Sequence, residues 1–336
     1  MQNKKRNITL IVVGSIILVI TLFCLIYFCS PWNKDFFNKA TKEFDIPGLD
    51  TKFCPQGMTY LDNSDEYIVG GYMTDNTPSR YYVVDPDGEV KYFTLTINGE
   101  DFVGHSGGIT SYQDSIWIVS KDSEIGYCYH IYVSDVMTVA NGGKVAVTGK
   151  FDTHNGADFV FNDNGTLWVG EFYKKGKYDT EGSHFITTSS GEVNPAIAFG
   201  YTIDSSTDIG VKDNTPVMAL SIRGLCQGIA VTEDGKFILS TSYGLADSNL
   251  YMYDNVLAKS ITETIKVGDT NVPLAILDDS VLLSTVNAPA MSEEIVVKDG
   301  KLYVLFESAC NKYKLFNRVR VRNVYSLPLS AFDANK

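Results

Sequence analysis

The sequence predicts an all-β domain behind one N-terminal membrane-spanning helix. Three observations carry this expectation: a single long apolar run near the N-terminus, short β-rich runs punctuated by tight-turn dipeptides, and one strand–turn–strand unit that recurs five times.

The apolar run covers residues 8–28, directly behind the basic cluster Lys4-Lys5-Arg6. At roughly 1.5 Å per residue it crosses the hydrocarbon core of a bilayer. It outlasts the roughly 7–15-residue apolar region of a cleaved signal peptide, and no A-x-A-like cleavage site follows it. The positive flank assigns the N-terminus to the cytoplasm and the rest of the chain to the outside. The expected organisation is therefore a basic cytoplasmic tail at 1–7, a transmembrane signal anchor at 8–28, a juxtamembrane linker at 29–50 and an extracytoplasmic domain at 51–336. Cys24 and Cys29 stand in or beside the run, and the bulky Phe23 and Phe28 before them argue against lipid attachment. In the linker, mixed charge predicts a helical turn or two before Pro47-Gly48 ends them.

Composition narrows the partners. Hydrophobic residues make up 44% of the chain and charged residues 20%, which supplies a large core and argues against disorder. A net charge of −12 argues against nucleic acid, whose phosphates need a basic face. The anchor makes the membrane itself a partner. Cys54, Cys128, Cys226 and Cys310 form an even set, compatible either with disulfides outside the cell or with buried thiols. No C-x-x-C spacing occurs, so zinc-ribbon and thioredoxin readings have no support.

Beyond the linker no long helical periodicity appears. Turn signals such as Asp87-Gly88, Asn164-Gly165, Asp234-Gly235 and Asp299-Gly300 separate the β-rich runs. The repeated unit begins at Pro55-Gln56-Gly57, Ser106-Gly107-Gly108, Asn155-Gly156-Ala157, Cys226-Gln227-Gly228 and Ser292-Glu293-Glu294. Each copy continues as a short strand, a tight turn and an aromatic-led second strand. A third, alternating strand is expected at 80–85, 129–134, 183–187, 250–254 and 320–326. The copies lie about 50 to 70 residues apart, the spacing of four-stranded blades with some long loops.

One such sheet cannot bury both faces alone, whereas radial packing buries them all. The sequence thus predicts a five-bladed β-propeller. Its long third and fourth intervals leave room for a sixth blade. Small residues at the blade starts suit backbones that converge on an axis. A strand between Asp45 and Phe53 is expected to close the last blade beside 319–329. A β-sandwich, the rival fold, does not predict this period.

Propeller geometry turns these distant blade starts into one ring. Gln56, Gly107, Gly156, Gln227 and Glu293 stand at its level, flanked by His105, His154, Asp158 and Glu294. Two histidines occupy equivalent places in adjacent blades. Such a ring brings acid, base and amide groups to one volume, as a ligand pocket requires. Polar blade starts also satisfy backbone groups and hold channel waters, which is their purely structural use. Strand alternation is expected to send Glu293 and Glu294 to opposite faces, leaving one in the channel. Glu171 and Glu307 end second strands, either facing the mouth or pairing with Lys121 and Arg223. Zn2+ on His105, His154 and Glu293, or Ca2+ on Gln56, Asp158 and Glu293, is the metal chemistry this set would allow. Gly104-His105-Ser106-Gly107-Gly108 is no serine-protease signature, since it is one copy of the repeat with His in place of the required Asp. Tyr72, Tyr173, Tyr178 and Tyr243 offer stacking surfaces, although packing between blades is the commoner use.

At the blade starts the chain resembles plant-type glutaminyl cyclases. Gln56-Gly57-Met58 and Gln227-Gly228-Ile229 resemble that family's Gln-Gly-Leu openings, Ser292-Glu293-Glu294 its acidic blade start, and Phe306-Glu307-Ser308 a short motif near its site. The resemblance implies a five-bladed propeller that cyclises N-terminal glutamine, with Glu293 or Glu307 as acid–base group. A gluconolactonase-like propeller, similar in architecture alone, implies a channel metal. The leading expectation is a membrane-anchored propeller that binds a small molecule, glycan or peptide at the channel mouth, with Gln56, Asp158, Gln227, Glu294, Glu171 and Glu307 as binding residues. The alternatives are an enzyme, cyclase-like or a metal-dependent hydrolase, using Glu293 with His105 or His154, and a protein-interaction scaffold whose contacts lie on loops.

Overall fold

Five four-stranded antiparallel sheets surround an axis in the computed structural model, which describes residues 2–122 and 125–335. The side chains of residues 2–9, 29, 334 and 335 lie outside the described set, and with them those of the basic cluster and of Cys29. The first blade runs Phe53–Leu61, Glu66–Met73, Arg80–Val84 and Val90–Ile97 from axis to edge. The second uses Ser106–Tyr112, Ser115–Asp122, Ile125–Tyr132 and Gly149–Asp152. The third uses Phe159–Asp163, Thr166–Gly170, Ala196–Thr202 and Met218–Ile222. The fourth uses Cys226–Val231, Phe237–Thr241, Ser248–Tyr253 and Leu282–Ala288. The fifth combines Ser292–Lys298, Lys301–Phe306 and Asn323–Pro328 with Thr41–Asp45 from the other end of the chain.

Closure therefore joins the chain's two ends, with Thr41 opposite Ser326 and Asp45 opposite Asn323. The closing strand lies just before the expected segment 45–53, inside the stretch read as a linker. Pro47-Gly48 turns the chain there, Gly48 having φ 74°, so residues after Asp45 cannot continue that ladder. The short helix Lys34–Lys39 matches the expected helical turns, and its Phe36 is buried against Phe306.

Two further expectations need correction. The segment 183–187 is not the third strand of its blade; Ala196–Thr202 is. Residues 183–187 instead sit in a loop holding the 3-10 turn Gly182–His184 and the small hairpin Ile186–Thr187 with Val193–Asn194. Alternation over five residues fits such a hairpin as well as a blade strand. The long intervals contain no sixth blade. The fourth accommodates the hairpin Glu263–Val267 and Thr270–Ile276, which extends blade 3 by parallel pairing of Leu274 with Ala219. Likewise Gly143–Ala146 covers the outer edge of blade 1, pairing in parallel with Val90–Ile97. Both additions protect sheet edges.

Strand alternation builds the core between blades. In the second strand of blade 2, Ile116 and Ile118 pack into the cluster shared with blade 1, while Trp117 and Val119 pack into the cluster shared with blade 3. In blade 3, Leu167 and Val169 face blade 2 and Trp168 faces blade 4. Each strand thus serves two interfaces, which a single sheet could not provide.

At the axis each innermost strand packs against the next, and the ring closes between blades 5 and 1. The approach is close. A Cβ at Gly57 would lie 2.8 Å from the Ile109 amide nitrogen, and one at Gly228 would lie 2.8 Å from the Glu294 Cα. Glu294 fills the remaining space: its Oε2 accepts hydrogen bonds from the Met58 amide at 3.2 Å and the Ile109 amide at 2.9 Å. One carboxyl from blade 5 thereby ties blades 1 and 2. Glu294→Ala is expected to orphan both amides, costing about 1–3 kcal/mol for each. Glu294→Gln retains an acceptor and should lose well under half as much, as urea unfolding of the two variants in detergent will measure.

Candidate functional site

The blade starts owe their shared orientation to a recurring bulge. Ladder register shifts between Pro55 and Gly57, Ser106 and Gly108, Cys226 and Gly228, and Ser292 and Ile295. The residues that drop out of pairing are Gln56, Gly107, Gln227 and the pair Glu293-Glu294. A bulge leaves its extra residue unpaired and re-aims the side chain. These are the positions that the repeat alignment assigned to the ring. In blade 3 the equivalent role falls to the turn before Phe159, where Ala157 has φ 50°.

Both glutamates released by the bulge in blade 5 are buried, each 2% exposed. Glu294 points into the axial contact described above. Glu293 lies under the mouth, beside Glu307.

Above them is a cavity of about 1090 Å³. Gln56, His105, His154, Asp158, Glu171, Gln227 and Glu307 all line it, whereas Glu293 and Glu294 are outside the lining. Seven of the nine sequence-assigned site residues therefore meet in one volume, with Glu293 directly behind. Tyr178 and Tyr243 also reach the wall, while Tyr173 packs on Phe185 and Tyr72 on the His105 ring at 4.6 Å.

On the blade 5 side, Glu307 Oε2 accepts from Gln56 Nε2 at 2.8 Å and from the Cys54 thiol at 3.2 Å. Burial raises the Glu307 carboxyl to about 7 despite those donors. Burial, and then the charge of Glu307, push Glu293 well above the carboxylate range. The two carboxyls lie against each other, and their like charges act with burial to keep Glu293 protonated. His105 faces the cavity, and desolvation by the surrounding fold, reinforced by the Lys312 ammonium, pushes it down to about 4. It is a neutral imidazole at physiological pH.

On the blade 3 side, Glu171 Oε1 accepts from His184 Nδ1 at 2.8 Å and from the Ile197 amide at 3.0 Å. Burial works against protonation of His184, but the Glu171 hydrogen bond and charge together raise its pKa. Asp158 Oδ2 accepts from the Phe172 amide at 2.7 Å. Its carboxyl rises to about 7, mainly through burial. The partners expected for Glu171 are thus replaced by His184. Arg223 instead pairs with Asp279 at 3.0 Å and covers the Tyr251 ring.

The two histidines of the ring are not equivalent. His105 immediately precedes its innermost strand, but His154 stands five residues before Phe159, in a left-handed conformation with φ 57°. It is exposed, and its Nε2 lies 2.9 Å from the Asn214 carbonyl. The structure does not gather His105, His154 and Glu293 into a ligand set. Among the described residues no three His, Cys, Asp or Glu side chains are placed to hold a metal ion together.

Sequence reasoning missed His184, because it belongs to a loop outside the repeat. It also left Cys54 and Cys310 unassigned, although Cys54 stands two residues before Gln56. Their sulfurs lie 3.2 Å apart beside Glu307, and both are free thiols. Cys128 and Cys226 are buried apart from them in separate core clusters. Treating the folded protein with diamide, which takes up two electrons and two protons per disulfide formed, should join Cys54 to Cys310. Peptide mass spectrometry is expected to find Cys128 and Cys226 still as thiols.

The raised carboxyls set a pH dependence. Asp158 and Glu307 have folded pKa values of about 7, above the roughly 4 of an unfolded chain. Their stabilising contribution is complete below the unfolded value and is lost as pH rises through about 7. His105, lowered to about 4, acts oppositely, but only below the ordinary histidine value of about 6.5. Thermal unfolding is therefore expected to show Tm falling from pH 6.5 to 8, and Asp158→Asn combined with Glu307→Gln should flatten that slope.

No protein-family model and no curated protein matches this chain. Among solved structures it is similar to a GH43_1 enzyme from Xanthomonas citri, at 8% identity and TM-score 0.47, covering 88% of this chain and 93% of that one. It is also similar to an oxidoreductase described as a glucose dehydrogenase from Thermus thermophilus, at 12% identity and TM-score 0.45, covering 86% and 98%. A third is the PQQ-bound aldose sugar dehydrogenase of Streptomyces coelicolor, at 10% identity and TM-score 0.44, covering 85% and 95%. Likeness at this level leaves function to the side chains of this chain, an all-β five-bladed propeller behind one helix long and apolar enough to cross a membrane.

Proposed function

We propose that this chain is a membrane-anchored extracytoplasmic propeller that binds a small polar molecule, a glycan or the end of a peptide, in the mouth of its channel. The supporting observation is the convergence of Gln56, Gln227, Asp158 and Glu307 on one cavity of about 1090 Å³. That volume is at the upper end of small-molecule sites, roughly 300–1,000 Å³. The lining is rich in acceptors: carboxyls at Asp158, Glu171 and Glu307, and amide oxygens at Gln56 and Gln227. A ligand carrying several donors, sugar hydroxyls or a primary amine, is what such a wall satisfies. Tyr178 and Tyr243 add aromatic faces on which a sugar ring can rest. The helix Leu10–Phe28 supplies the anchor, with the basic tail in the cytoplasm.

A second reading makes the site catalytic, and a specific observation favours it. Glu293 and Glu307 are buried against each other, and the Glu307 carboxyl is raised to about 7. A carboxyl in that range can accept and return a proton near neutral pH. Cyclisation of N-terminal glutamine would use it so: Glu307 takes a proton as the amine attacks the side-chain amide, and the pair returns a proton to the departing ammonia.

Both readings are checked on the full chain in detergent micelles. A panel of mono- and disaccharides and glutamine-led peptides is expected to contain a ligand whose Tm shift grows with the logarithm of its concentration. Gln227→Ala should weaken that ligand about tenfold, the effect of roughly 1.4 kcal/mol from one lost hydrogen-bonding group. If the glutamine-led peptides also release ammonia, Glu307→Gln should slow release by roughly 10²–10⁴-fold while leaving binding in place. A panel with no Tm shift at millimolar concentration removes the binding reading.

A further inference from the structure

The mouth of the cavity and the membrane anchor lie on the same side of the propeller. The anchor helix ends at Cys29. There, Tyr27 Oη donates to the Phe316 carbonyl at 3.1 Å, the Arg320 guanidinium lies 5.3 Å from the Phe28 ring, and that of Arg318 lies 4.2 Å from Trp32. All three contacts are made by the segment between Phe306 and Asn323. Strand direction places this segment at the mouth end, because Lys301–Phe306 runs back toward the start of Ser292–Lys298. The same segment delivers Glu307 and Tyr313 to the cavity.

A second, independent observation concerns the exposed apolar side chains of the propeller. Loops at the mouth end carry Leu315 and Phe316 in blade 5, 68% and 64% exposed. They also carry Leu245 in blade 4, Phe185 in blade 3, and Ile125 and Val103 around blade 2, each at least 40% exposed. The opposite face carries Val90 and Val217 as its exposed large apolar residues among those described. Soluble surfaces scatter such residues singly, and their concentration on one rim marks an apolar partner. Leu315 and Phe316 are flanked by the exposed bases Lys314 and Arg320 on a chain whose net charge is −12. Apolar side chains bordered by cations are the pattern of a surface that settles into lipid headgroups.

We infer that the mouth face of the propeller docks on the bilayer that holds its anchor, with Leu315 and Phe316 in the interfacial layer. The partner is lipid, because the face is continuous with the end of the membrane helix through Tyr27 and Phe28. The cavity then opens onto the headgroup layer. Molecules carried in or along the bilayer surface reach it directly, whereas bulk solutes must pass beneath the rim.

The test uses the full chain in nanodiscs of phosphatidylcholine and phosphatidylglycerol, with Cys24→Ser and Cys29→Ser removing the thiols near the membrane. Nitroxides are attached at Leu315→Cys, Leu245→Cys and, on the opposite face, Val217→Cys. Their accessibility to oxygen and to a water-soluble nickel chelate is read by power saturation. Labels at 315 and 245 are expected to give an oxygen-to-nickel ratio several-fold above that at 217. Equal ratios at all three sites, with nickel reaching each freely, would overturn the inference. No ligand takes part in the measurement, so its failure leaves the cavity reading standing, and an empty ligand panel leaves the docking inference standing.

Discussion

Crowding at the axis is the constraint on which the rest of the molecule depends. Five strands meet with so little room that a methyl at Gly57 or Gly228 would overlap the backbone of the next blade. Regular pairing carried up to that point would drive side chains into the neighbouring strand. Bulges relieve the conflict by releasing one or two residues from the ladder just as the strand enters the ring. What is released is polar in three of the four cases: Gln56, Gln227 and Glu293-Glu294. Packing and cavity wall thus have one origin, because the deformation by which four of the sheets approach the axis also turns Gln56 and Gln227 into the cavity.

The same crowding governs the electrostatics. Burying a charge is costly unless it is paired or hydrogen-bonded, and a carboxyl so placed holds its proton instead. Three of the acids respond in different ways. Glu294 has two backbone amides and a structural task. Glu171 has a histidine and an amide, which give it the partners of an ordinary ion pair. Glu307 receives an amide and a thiol hydrogen bond but also faces Glu293, whose carboxyl is pushed up by burial and by the Glu307 charge. Glu307, raised to about 7, has a proton that can move within the neutral range at the wall of an open cavity. That difference separates a candidate acid–base group from a strut, though both are buried glutamates one blade edge apart.

Much of the architecture was legible in the sequence, since turn dipeptides and alternation are local signals that the fold has no reason to override. The expectation that blade sheets bury both faces by radial packing is met at residues 116–119, which face two blades. The ring itself was legible because the bulged residues fall at the same point of each repeat. What escaped was whatever lacked a copy. His184 sits in a loop found once, the closing strand Thr41–Asp45 has no aromatic-led partner beside it in sequence, and the Cys54–Cys310 contact joins residues from opposite ends of the domain.

Closure by the N-terminal strand has a mechanical consequence. In a propeller sealed by its own two ends, the strand that completes the ring must come from whichever chain end is free to reach it. Here that strand follows the apolar helix Leu10–Phe28 after only the short Lys34–Lys39 helix, whose Phe36 packs into the core against Phe306 and Tyr325. Phe36, Ile46 and Leu49, on either side of the closing strand, are all in the same buried cluster as blades 4, 5 and 1. The direction in which the apolar helix Leu10–Phe28 leaves the propeller is therefore tied to the ladder that seals blade 5. Its contact with Phe316 places that helix on the side of the cavity mouth, a placement that follows from the pairing of Thr41 with Ser326.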